Sequence, residues 1–167
     1  EITIDVEGMG KTADRQLRVR YNGQPAPYDL SVPTEFTVAG ADPVTLKGAA
    51  MKHADGLYTI YLSTKTGALT TADASSADII VTVPDGFVND DMVHGFSGDE
   101  ENAKISVTYD GVKYSQSTTS GTAPVALGGN AKLTVNGGKI NLDFTVFGAK
   151  KYSGSIKGHF EGNAAQL

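Results

Sequence analysis

The chain has 167 residues, a formal net charge of −5 and 40% hydrophobic residues, enough to bury a core without covalent staples. It has no cysteine, which excludes disulfides and thiolate chemistry. No apolar run approaches the ~18 residues of a membrane-spanning helix, and lysines and arginines are scattered, so neither a transmembrane segment nor a nucleic-acid or anionic-membrane partner is expected.

Two alternating segments open the chain. "EITIDVEG" places Ile2, Ile4 and Val6 on one face and Thr3, Asp5 and Glu7 on the other; "RQLRVRY" sets Leu17, Val19 and Tyr21 against Gln16, Arg18 and Arg20. Pairing the two brings acids opposite arginines, so the cluster Arg15, Arg18 and Arg20 is read as a solvated strand face. Between them, Gly10-Lys11-Thr12 resembles the tail of a phosphate-binding loop. Asp5 stands where that loop needs its first glycine, and a period-two strand follows where it needs a helix. Gly8-x-Gly10-x-x-Ala13 fails as a dinucleotide fingerprint for the same reason. A hairpin loop is expected there.

Pro25, Pro27 and Pro33 interrupt the next stretch, which is expected at a sheet edge or corner. "VTLKG", "GLYTIYLS" and "DIIVTV" supply three more strands. Leu57 to Leu62 and Ile79 to Val83 are apolar on both faces for part of their length, as in central strands. "AAMKHA" is expected to form a helical turn, and "GALTTADASSAD" a small-residue loop or one short helix.

From 103 to 161 the alternation predicts five antiparallel strands. Asp110-Gly111 is a strong hairpin signal that pairs Tyr109 with Val112 and Val107 with Tyr114. In "AKLTVNGGKINLDFTVFG" two turns compete. Folding at Asn136-Gly137 leaves both faces mixed. Folding at Gly137-Gly138 sets Val135 opposite Ile140, Leu133 opposite Leu142 and Lys132 opposite Asp143, giving one dry face and one wet one. The hydrophobic pattern selects Gly137-Gly138. In the last strand, Tyr152, Gly154, Ile156, Gly158 and Phe160 share the apolar face, the glycines leaving room for an aromatic such as Phe144, while His159 falls on the polar face.

These elements predict a single all-β domain over 1–167: an antiparallel β-sandwich of about ten short strands with at most one short helix. The loop 85–102 is a place where two sub-sheets could divide. A closed up-and-down β-barrel is the alternative, with the Gly154 and Gly158 gaps leaving an interior for a small apolar, lipid-like ligand.

Candidate chemistry concentrates in "DGFVNDDMVHGFSGDEEN". Phe87, Met92, Val93 and Phe96 are apolar anchors within an acidic rim, a pattern suited to a cationic or peptide partner. Asp90, Asp91, Asp99 and Glu100 could hold calcium, although their spacing fits no EF-hand. The bland reading is a solvated loop whose Phe and Met plug the end of a sandwich. His53, His94 and His159 lack metal-ligand spacing. Ser97 misses a nucleophile elbow because Asp99 replaces its second glycine. Asp90 and Asp91 are adjacent, so on a strand they would diverge rather than flank a bond. Tyr58, Tyr61, Tyr109 and Tyr114 are candidate glycan platforms, but Tyr109 and Tyr114 lie on the apolar side of their hairpin and are expected in the core.

Glu1 already sits in a strand pattern, and abundant Gly, Thr, Ser, Ala and Asp with no Cys resembles the general composition of exported bacterial β domains. A removed signal peptide or lipoprotein leader is therefore expected, placing the domain in the periplasm, at the cell surface or outside. With no coherent catalytic set, the expected role is noncatalytic recognition of a protein or glycan at the cell envelope.

Overall fold

A computed structural model of the chain describes residues 2–6, 17–21, 33–38, 41–66, 69–97, 102–116, 125–126, 128–149 and 154–167. Its contacts form two compact units, 1–31 and 32–167. The first contains the antiparallel pair β1 (Ile2–Val6) and β2 (Leu17–Tyr21), with Asp5 opposite Arg18 and Thr3 opposite Arg20, the pairing expected from the alternation. The phosphate-loop look-alike at 10–12 lies outside the described residues.

In the second unit the strands are β3 (Glu35–Val38), β4 (Val44–Thr45), β5 (Gly48–Ala54), β6 (Leu57–Ser63), β7 (Ile79–Pro84), β8 (His94–Ser97), β9 (Lys104–Tyr109), β10 (Val112–Gln116), β11 (Val125–Ala126), β12 (Gly128–Asn136), β13 (Lys139–Ala149), β14 (Gly154–Asn163) and β15 (Ala165–Gln166). One short helix, α1 (Thr71–Ala74), lies between β6 and β7, started by a reciprocal capping pair of Thr70 and Asp73. The strands form a seven-stranded sheet, β11-β10-β9-β7-β6-β5-β15, and a six-stranded sheet, β4-β3-β14-β13-β12-β8. Among the described residues of the second unit, strand pairing is antiparallel except at β10–β11 and β15–β5, and the isolated Val88–Leu133 bridge is parallel.

The two sheets face each other across one hydrophobic cluster. Met51, Ile60, Leu62, Ile79, Val81, Val83, Ile105, Val107 and Tyr114 come from the larger sheet; Phe36, Val38, Leu133, Ile140, Leu142, Phe144, Val146, Ile156 and Phe160 come from the smaller. The expected β-sandwich is what forms. The barrel is not: the strands from 103 to 161 divide, β9 and β10 staying in one sheet while β12, β13 and β14 build the other. Alternation assigns each side chain a face but carries no information about which sheet a strand joins. Tyr114, Phe36, Ile60 and Leu142, all below 2% exposed, stand between the sheets.

Turn chemistry fixes the registers. Gly137 and Gly138 have φ of +55° and +91°, and the pairing runs Asn136–Lys139, Val135–Ile140, Leu133–Leu142 and Lys132–Asp143 as the pattern requires. Asp110-Gly111 turns in the same way and sets Val107 opposite Tyr114. A third turn of this kind, Asp55-Gly56, joins β5 to β6. It corrects the helical turn expected for "AAMKHA": residues 48–54 are a strand, held between β6 and β15. Of the proline-broken stretch expected at an edge or a corner, only 33–38 lie within the described residues; there β3 pairs with β14 and, at Glu35 and Phe36, with the two-residue β4 that ends the sheet. Leu57–Ser63 and Ile79–Pro84 do occupy the centre of the larger sheet.

Gly158 lies opposite Phe144 on the core face. A Cβ there would stand 2.5 Å from Phe144 Cε1 and 2.8 Å from Phe36 Cβ, so the ring rests on bare backbone. This gap is an aromatic seat, not ligand space.

Candidate functional site

After Pro84 the chain leaves the seven-stranded sheet, makes one 3-10 turn at Asp85–Phe87 and reaches the far edge of the other sheet as β8. The segment is stitched down as it goes. The Asp85 N–H donates to Gly56 O (3.0 Å), and Val88 bridges Leu133. Asn89 adopts φ of +63°, a conformation that asparagine tolerates better than most residues. Its main-chain N–H donates to Leu133 O at 3.0 Å. Its side-chain Nδ2 donates to Val135 O at 3.1 Å, and its Oδ1 accepts from Val135 N at 2.8 Å. Asn89 thereby imitates one residue of a neighbouring strand along β12.

The two acids that follow go to separate partners. Asp90 Oδ1 accepts the Met92 N–H at 3.0 Å, and Asp90 Oδ2 meets His94 Nε2 at 2.5 Å. The Met92 amide first, and His94 after it, hold the Asp90 carboxyl below its ordinary value of 3.8 against some loss of solvation. Asp91, also at positive φ (+62°), pairs with the Lys132 ammonium on β12 and raises its pKa. Phe87 stacks on His94, with ring centroids 3.8 Å apart and planes 8° off parallel, and packs against the core. What remains at the tip is Met92 and Val93, 57% and 61% exposed.

The four apolar residues picked out in the sequence are thus separated. Met92 and Val93 form the exposed pair, Phe87 is the plug, and Phe96 lies on β8 opposite Gly129. Of the calcium candidates, Asp90 and Asp91 are turned to His94 and Lys132, while Asp99 and Glu100 lie outside the described residues. No group of three or more His, Asp or Glu placed to hold a metal occurs among the described residues.

Each histidine is coupled to its own aspartate: His53 to Asp85 at 2.9 Å, His94 to Asp90 and His159 to Asp143 at 2.7 Å. His53 also stacks on Tyr58, with centroids 4.1 Å apart. His159 lies on the polar face as expected, yet it is buried rather than exposed. Its Nδ1 meets Asp143, and its Nε2 has no hydrogen-bond partner among the described residues. Ser97 ends β8 opposite Gly128. Tyr114 is fully buried, and Tyr109 packs edge-on against Phe36, so both serve the core.

Sequence reasoning missed Asn89. Its signal was present: an asparagine between two hydrophobic runs, directly before two acids, is a residue suited to a left-handed turn. Comparison with protein-family models, with curated proteins and with solved structures found no match for this chain.

Proposed function

We propose that the chain is a noncatalytic recognition module, exported to the cell envelope or cell surface, that binds a protein partner through the tip of the 84–97 segment. The observation that carries this reading is Met92 and Val93, two adjacent and mostly exposed apolar side chains on a support fixed by Asn89, Asp90 and Asp91. A loop that served only as a connection would gain nothing from such a display. Covering the pair in an interface is worth about 1–2 kcal/mol for each side chain, and the rigid support keeps the ordering cost of binding low.

The test is a pull-down from the envelope fraction of the native host with the wild type and with a Met92→Ser/Val93→Ser variant. Both residues face solvent, so the variant's melting temperature is expected to match the wild type while capture of the partner is lost. Equal capture by both proteins refutes the proposal.

A further inference from the structure

The hairpin between β12 and β13 carries an unused side-chain amide. Because the chain folds at Gly137-Gly138, Asn136 stands just outside the turn, as the last ladder residue of β12 opposite Lys139. It is exposed, and its side chain makes no hydrogen bond among the described residues. The next main-chain N–H, that of Gly137, belongs to the first central residue of a two-residue turn, where the ladder offers no partner. A Cβ built at Gly137 would meet nothing within 4 Å, so the space beside this nitrogen is open.

An asparagine side chain and the main-chain nitrogen that follows it can close an imide ring. A side chain on the following residue obstructs that approach, and glycine has none. Among the described residues Asn136 is the asparagine that glycine follows; the other such pair, Asn22-Gly23, lies outside them. Other asparagines are held. Asn130 is paired on both sides, with Gly95 and Thr145, and Asn141 with Thr134 and Glu161. After Asn163 the attacking nitrogen would be Ala164 N, whose proton goes to Gly138 O at 2.8 Å. Asn89 has both side-chain polar atoms bound to Val135. At Asn136 the rotation that brings Gly137 N to Cγ opens the terminal Asn136–Lys139 pair and no other.

We infer that Asn136 is a site of spontaneous deamidation whose product loosens the 84–97 segment from β12. The Gly137 nitrogen gives its proton to hydroxide and bonds to Asn136 Cγ. The Cγ–Nδ2 bond breaks, and the side-chain nitrogen takes a proton from water and leaves as ammonia. Water then opens the imide. Opening at Cγ yields aspartate, whose carboxylate faces Lys139 and leaves the register intact. Opening at the main-chain carbonyl yields isoaspartate, which routes the backbone through the side-chain methylene and lengthens it by one atom. A two-residue turn fixes register by count, so the added atom displaces Val135 from Ile140. Val135 N and O are the two groups that the Asn89 side chain grips. The inference is independent of the Met92–Val93 reading.

Incubation of the folded protein in mildly alkaline buffer, followed by peptide mapping with electron-transfer fragmentation, tests it. Asn136 is expected to convert at least about tenfold faster than Asn130 and Asn141 of the same hairpin, giving both aspartate and isoaspartate. In the isoaspartate fraction, exchange of the Val135 amide should quicken about fivefold. Asn136→Gln, whose longer side chain closes the ring far more slowly, should keep its amide and the slow exchange. Freshly prepared Asn136→Asp, which adds the charge without the extra atom, should also exchange as the wild type does. Conversion of Asn136 no faster than that of Asn130 or Asn141 overturns the inference. So does aspartate without isoaspartate, or Val135 exchange unchanged by ageing.

Discussion

Replacing Gly158 with alanine tests the core where the sandwich is tightest. The added methyl would lie 2.5 Å from Phe144 Cε1 and 2.8 Å from Phe36 Cβ, and closer still to Phe144 Cζ. Carbon pairs are comfortable at ~3.5–4.0 Å, so the neighbours must retreat by about 1 Å. Neither has room: Phe144 is 2% exposed and Phe36 1%. The Phe36 contact is with Cβ, so relief there requires β3 itself to move. Overpacking of this kind costs about 1–3 kcal/mol. Removing a glycine from a strand returns about 0.5–1 kcal/mol. A net loss of about 1–2 kcal/mol is expected, read as a lower urea midpoint at unchanged slope in circular dichroism at 25 °C. Phe144→Ala should cost about 3–5 kcal/mol alone. In that background most of the clash is gone, so adding Gly158→Ala should cost at least about 1 kcal/mol less than in the wild type. A Gly158→Ala protein within about 0.5 kcal/mol of wild type, or equal losses in the two backgrounds, would refute the seat.

Asp78→Ala leaves Ser63 and Thr64 without their shared acceptor and should cost about 1–3 kcal/mol, lowering the melting temperature by ~2–4 °C per kcal/mol, whereas Asp78→Asn, which keeps one oxygen, should be milder. Asn89→Gly preserves the positive φ but deletes both side-chain bonds to Val135; exchange of the Val135 amide should quicken about fivefold, and unchanged exchange would argue against the anchor. Asp90, held below 3.8 by the Met92 amide and then by His94, contributes to loop order above that value and loses the contribution as pH falls through its lowered pKa. The Met92 amide resonance should therefore titrate with a midpoint below 3.8, and a midpoint at or above it would contradict the hydrogen bond.

Much of the local structure was legible because the residues at the turns leave few choices. Gly137-Gly138 and Asp110-Gly111 supply positive φ, and the dry and wet faces on either side then admit one register. "AAMKHA" was not legible. Ala, Met and Lys form helices readily, and Ala49, Ala50 and Met51 are all buried, so the alternation that marks a strand is erased. Partners on both sides, β6 and β15, decide its conformation. Assignment of strands to sheets was hidden for a related reason: face alternation is local, and partition is not. In the candidate loop, the composition of Phe87, Met92, Val93 and Phe96 suggested one patch. Only the stack on His94 shows that Phe87 belongs to the interior.

The strands made early wait for those made last. Residues 35–38 find their main neighbour at 156–159, and residues 50–51 are flanked by 165–166. During synthesis the first half of the sandwich therefore emerges with two ladder edges and an apolar face uncovered, until more than a hundred further residues have followed. Such distant closures make slow folding steps, and they put the emerging chain at risk of pairing with copies of itself before β14 and β15 arrive.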